Sequence, residues 1–213
     1  MVFTMALEDF KEVLVTCASV CQIFQFMSGI LVCEKFIKKG TSNDISPFPF
    51  VCGVTSCILW ATYANIINET ALIIVNVFGA LLMFSYIVAY YMFATRKGSL
   101  LKQILMVTIL ITIAQVYIHS IDEFEKAKSH LGIICCSVTL TFFAAPLANL
   151  AHVIRVQSSE SLPFPLILMS LVVTAQWTLY GYILKDKFIT YPNLLGFLLS
   201  CFQLSLFAIF PFR

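Results

Sequence analysis

Apolar residues fall in seven long runs, and the segments between them hold almost every charge. The runs are approximately Val13 to Val32, Phe48 to Ile66, Leu72 to Phe93, Leu101 to Ile118, Gly132 to Val153, Leu166 to Leu184 and Phe188 to Phe210. Each approaches the ~20 residues a helix needs to cross a hydrocarbon core about 30 Å thick. The pattern predicts an all-α integral membrane fold of seven transmembrane helices with short connections. Glu8, Asp9, Lys11 and Glu12 precede the first run, the reverse of a basic signal-peptide start, so that run is expected to stay as a span.

Composition sharpens this picture. With 60% hydrophobic residues, 11% charged and a mean hydropathy of +0.94, the chain is far from the ~25% charged content of soluble domains, and the lipid bilayer is its expected partner. A net charge of +2, with Lys and Arg dispersed, leaves no footprint for nucleic acid. The eight cysteines lie in or at the ends of apolar runs, where cysteine behaves as a small hydrophobe. None belongs to a Cys-x-x-Cys pair or a Cys/His cluster with zinc spacing, so neither a metal nor a cofactor is expected.

Charge also sets the orientation. Lys35, Lys38, Lys39, Arg96, Lys97, Lys102, Arg155 and Arg213 fall on one side, and Lys11, Lys126, Lys128, Lys185 and Lys187 on the other. Eight cations against five place the first set in the cytosol, the N-terminus outside and the C-terminus inside. Asn68-Glu69-Thr70 is a glycosylation sequon on the expected outer side, in a loop short for a glycan.

An internal repeat organises the spans. Trp60-Ala61-Thr62-Tyr63 returns as Trp177-Thr178-Leu179-Tyr180, and each Trp is followed sixteen residues later by an Asn with Gly three beyond: Asn76 with Gly79, Asn193 with Gly196. All four positions share one offset of 117. Upstream, Thr41-Ser42 and Ser158-Ser159 correspond, as do Pro49-Phe50 and Pro163-Phe164, although these prolines precede their Trp by eleven and fourteen residues. That mismatch predicts a small insertion in one half. The expected divisions are a first three-helix repeat over 1–98, a linker transmembrane helix over 99–124 and a second repeat over 125–213. Three spans are an odd number, so an inverting linker makes the repeats parallel, and carriers so built hold substrate near the bilayer midplane between repeats.

Asn76 and Asn193 are amides well inside apolar runs, where an unpaired polar group costs on the order of several kcal/mol. An interhelical hydrogen bond answers that cost for a single Asn. Two at equivalent positions, each with a glycine one turn on to admit a neighbouring backbone, point to a shared pocket. An amide both donates and accepts, as a sugar hydroxyl does. Trp60 and Trp177 offer flat apolar faces to the C–H side of a pyranose ring, against the alternative of anchors in the interfacial belt. Pro49, Pro146 and Pro163 each remove a backbone hydrogen bond. A hinge is one reading of all three, and a simple helix start the other for Pro49 and Pro163. No carboxylate stands in mid-membrane as a proton relay, since Glu34 can snorkel to water, and no nucleotide-binding or hydrolase motif is present. The chain is not expected to be an enzyme.

Ala145-Pro146-Leu147-Ala148-Asn149-Leu150, Val153-Ile154-Arg155, Ser158-Ser159-Glu160, Leu162-Pro163-Phe164, Trp177-x-x-Tyr180-Gly181 and Pro192-Asn193-x-x-Gly196 together resemble the SWEET sugar transporters, and the likeness runs over nearly the whole chain. The resemblance implies two three-helix bundles joined by a linker helix, alternating access without a coupling ion, and a glucose-like substrate held by Asn76, Asn193 and Trp177. Trp60 marks an animal-type member. It further implies an outer gate including Tyr63 and Asp186, and proline hinges matching Pro49, Pro146 and Pro163. The family's fourth proline falls here near Ser28-Gly29. Homo-oligomers and residence in the plasma membrane, or also the Golgi, are implied likewise.

Two other readings remain at this point. A related carrier of a non-sugar solute such as an amino acid would share the architecture, but the Pro-Gln pair of such carriers is missing. A seven-helix receptor would need no duplicated half, and would be expected to carry more than Phe212-Arg213 beyond its last span.

Overall fold

The computed structural model describes residues 2–210, without the side chains of 2–7 and 145; Phe212 and Arg213, named above, lie outside the described residues. Among the described residues all regular structure is helical: α1 (Val2–Met27), α2 (Gly29–Lys39), α3 (Phe48–Ile66), α4 (Thr70–Phe93), α5 (Gly98–His119), α6 (Phe124–Phe142), α7 (Ala144–Val156), α8 (Phe164–Ile183) and α9 (Lys187–Ile209). They make seven segments long and apolar enough to cross a membrane, because α1 and α2 form one span, as do α6 and α7. The fold is thus the seven-helix membrane protein that the apolar runs predict.

Both double helices break for reasons visible in the sequence. Pro146 has no N–H for the carbonyl of Phe142, and its ring crowds that turn; the ladder stops there, with Phe143 N–H bonding back to Leu140 O at 3.1 Å. The first span breaks at Ser28, before Gly29, with no proline. Ser/Gly pairs are a recognised cause of helix kinks.

Contacts divide the chain into two compact units. One joins the N-terminal stretch up to Gln25 with the residues from Thr139 onward, and the other is Phe26–Val138. In the first, α8 and α9 pack side by side, and α7 touches α9. Gln25 Nε2 donates to Ser170 Oγ on α8 at 2.7 Å. In the second, α3 packs along α4, with α2 and α5 against them, and Gln115 Nε2 on α5 donates to Thr62 Oγ1 on α3 at 2.6 Å.

The 117-residue offset extends well beyond the tryptophans. Cys33, Phe36 and Phe50 are buried in a core cluster of one half; Leu150, Val153 and Ile167 hold the same positions in the other. Ser42 and Ser159 are both buried, at 0% and 1% exposure, and each carbonyl accepts from the third residue on, Ile45 and Leu162, at 3.0 Å. One expectation needs correction. Pro47 and Pro163 are the N-cap residues of α3 and α8, and each helix has a second proline in its first turn. Pro47-Phe48-Pro49 therefore corresponds to Pro163-Phe164-Pro165, with Pro47 thirteen residues and Pro163 fourteen before its Trp. Pairing Pro49 with Pro163 overstated the shift, which is one residue.

Candidate functional site

The third helix of each repeat carries a continuous stripe. Asn76, Gly79, Met83, Tyr86 and Tyr90 recur at alternating three- and four-residue steps along α4, which keeps them on one helical face. Their counterparts on α9 are Asn193, Gly196, Ser200, Gln203 and Phe207. At the head of each stripe the asparagine takes the same pose. Asn76 Nδ2 donates to Leu72 O at 2.8 Å, and Asn193 Nδ2 donates to Ile189 O at 2.8 Å. Both side chains are half-buried. Of an amide's four hydrogen-bonding positions, this local bond uses one, so a second N–H and the Oδ1 acceptor remain available to a ligand.

The register between helices fixes the depth of the tryptophans. A Cβ built on Gly53 would meet Met83 Sδ at 3.0 Å, and one on Gly79 would meet Cys57 Sγ at 2.9 Å. α3 and α4 are antiparallel neighbours with equal rise per residue, so three residues beyond Cys57 and three before Gly79 lie at one level. Those residues are Trp60 and Asn76. In the other half, Gly196 faces Thr174 Cγ2 at 3.0 Å, which levels Trp177 with Asn193 in the same way.

Each Trp is braced by the Tyr one turn on. Trp60 meets Tyr63 edge-on at 5.5 Å and 77°, and Trp177 meets Tyr180 at 5.7 Å and 81°. Both tyrosines are 0% exposed, and Lys11 Nζ lies 5.7 Å from the Tyr180 ring centre. Trp177 is buried while Trp60 is half-buried, so the two are not equivalent in access.

Asp186, expected at an outer gate with Tyr63, is the N-cap of α9. Its Oδ1 accepts from Phe188 N–H at 2.9 Å and Ile189 N–H at 3.3 Å, and its main-chain oxygen accepts from Thr190 N–H at 3.0 Å. Glu69 holds the same N-cap position on α4 but makes no side-chain cap bond. Tyr63 belongs to the unit Phe26–Val138 and Asp186 to the other. Pro49 sits in the first turn of α3, and Pro163 caps α8; both occupy helix starts, where proline is tolerated. Pro146 lies just past the break between α6 and α7.

The glycines beside the asparagines admit side chains, a phenylalanine ring among them in each half, rather than the backbone expected of them. A Cβ on Gly79 would come 2.5 Å from Phe26 Cε2, and one on Gly196 would come 3.4 Å from Phe143 Cζ. Phe26 and Phe143 are again 117 residues apart, and each stands at the break in its span. The sequence carried that signal, since the offset extends to this Phe pair. Among the described residues no group of His, Cys, Asp and Glu could hold a metal ion.

Comparison with known proteins agrees with the duplicated architecture. The family model described as "Sugar efflux transporter for intercellular exchange" matches the chain twice, over residues 12–98 and 129–213. The chain belongs to the SWEET family. It is 44% identical over 204 residues to the sugar transporter SWEET1 of Drosophila pseudoobscura pseudoobscura, covering 95% of this chain and 90% of the relative. The SWEET1 of Mus musculus is 30% identical, with 91% and 90% covered. The bidirectional sugar transporter SWEET9 of Arabidopsis thaliana is 31% identical, with 87% and 73% covered. A solved eukaryotic SWEET transporter superimposes with a TM-score of 0.85 at 22% identity, over 94% of this chain and 98% of that one, so the SWEET fold is shared.

Proposed function

We propose that this chain is a facilitative sugar carrier, moving mono- or disaccharides down their gradient in either direction by alternating access. The observation that carries the reading is the paired asparagine geometry. Asn76 and Asn193 each keep an N–H and an oxygen beyond their one local bond, level with Trp60 and Trp177, in a family named for sugar transport. In this reading Asn76, Asn193, Trp177 and Trp60 contact the sugar, Tyr63 and Asp186 belong to the outer gate, and Pro49, Pro146 and Pro163 are hinges. The working parts are the repeats 1–98 and 125–213 with the linker 99–124. Uncharged partners contribute only about 0.5–1.5 kcal/mol per hydrogen bond, so binding is weak and release easy.

The cation bias supports an extracellular N-terminus and a cytosolic C-terminus. Residence is in the plasma membrane, with the Golgi as a second site, and homo-oligomers are the expected assembly. The deciding experiment is uptake of radiolabelled glucose by cells lacking hexose carriers, with the proton gradient intact and collapsed. Uptake in both conditions supports an uncoupled carrier. A well-expressed chain that moves amino acids and no sugar overturns the sugar assignment.

A further inference from the structure

The first span breaks without a proline, and α4 grips that break at two points on its asparagine stripe. On one side of Ser28 the Phe26 ring sits in the notch at Gly79, where a Cβ would come within 2.5 Å of Cε2. On the other side the Tyr86 ring fills the space beside Gly29, so that a Cβ there would collide with its Cε2 edge. Tyr86 Oη also donates to Phe26 O at 3.2 Å. That carbonyl lies in the last turn of α1, where carbonyls lack partners within the helix. Gly79 and Tyr86 are seven residues apart, two turns on one face, and Asn76 is one turn before Gly79. The second half keeps only part of this device. Phe143 faces Gly196, but Gln203 replaces Tyr86 and Pro146 stands where the first half has Gly29.

We propose that Tyr86 and Gly79 are positioning residues for transport: they hold the break at Ser28 against the helix that carries Asn76, so that bending of the first span and presentation of the asparagine move together. The transport part rests on the sugar-carrier reading. The hold itself does not, and it is tested without sugar.

Amide exchange is measured on the purified full chain in nanodiscs. Tyr86→Phe keeps the ring and loses the hydrogen bond, so exchange at residues 26–31 rises about threefold to tenfold while residues 187–196 keep their rates. Unchanged rates, or the same rise in both segments, overturn the proposal. In cells, equilibrium exchange and zero-trans uptake of glucose are compared per surface molecule. Tyr86→Phe and Gly79→Ala each shift the ratio of the two fluxes at least about threefold, and Phe26→Leu combined with Cys57→Ala, which clears both the ring edge and the sulfur that the added methyl meets, restores it in the Gly79→Ala background. Equal loss of both fluxes, without rescue, marks a folding defect and overturns the coupling. An intact chain that carries no sugar sinks the sugar reading alone, and amide exchange then decides the hold.

Discussion

Asn76 and Asn193, 117 positions apart, each donate an Nδ2 hydrogen to the carbonyl four residues earlier, at the same 2.8 Å. A bond of that kind, within one helix, orients the amide without tying it to a neighbouring helix. The fold is therefore expected to depend little on either residue, while sugar binding in the proposed site is expected to depend on both. Asn76→Ala and Asn193→Ala are expected to express and melt like the intact protein, and to lose about tenfold or more of sugar flux, as for one or two hydrogen bonds. Flux at matched surface abundance checks this, and normal flux in both variants would remove the asparagines from the site.

The two tryptophans differ in burial, and truncation separates them. Trp177 is 6% exposed, so Trp177→Ala leaves a large void and is expected to cost about 3–5 kcal/mol of stability as well as transport. Trp60 is half-buried, and Trp60→Ala is expected to lower transport with the smaller loss of stability. Thermal unfolding of both purified variants gives the comparison.

Asp186 combines a capping role with a proposed gating role, and one substitution divides them. Asparagine caps helices as well as aspartate, whereas alanine costs about 1 kcal/mol. Asp186→Asn should then melt like the intact chain and transport more slowly, while Asp186→Ala loses both. Full flux in Asp186→Asn would confine the residue to capping α9.

The glycine at 196 has more room than the one at 79. An added methyl meets Thr174 Cγ2 at 3.0 Å and Phe143 Cζ at 3.4 Å, contacts that a few tenths of an ångström would relieve. Gly196→Ala is expected to lower flux less than Gly79→Ala, and Thr174→Ser, which deletes the colliding methyl, should return it. Flux across the three variants reports the result.

The spans were plain in the sequence because a bilayer imposes one length and one polarity on every crossing, and the repeat was plain because Trp, Asn and Gly are rare enough for a shared offset to stand out. What packs upon what was not. Phe26 and Tyr86 are two among twenty Phe and eight Tyr, and in a chain apolar on all sides no periodicity separates a ring that fills a glycine notch from one that faces lipid. The Pro-Phe dipeptide misled for a similar reason. Pro-Phe occurs at both Pro47 and Pro49, and only the N-cap position of Pro47 shows which corresponds to Pro163. The cap at Asp186 is legible as an acidic residue directly before an apolar helix, whereas its gate role comes from the resemblance alone.

The unequal construction of the two breaks bears on how the halves can vary. In the second, Pro146 breaks the ladder within the span itself, and Gln203 stands where the first half has an aromatic phenol. In the first, the proposed hold on the bend needs distant positions to agree: a small residue at 29, another at 79, and a hydroxylated ring at 86. On the proposed hold, a change at any of three codons would loosen the first break, against one for the second, so the half without the proline would offer the larger mutational target.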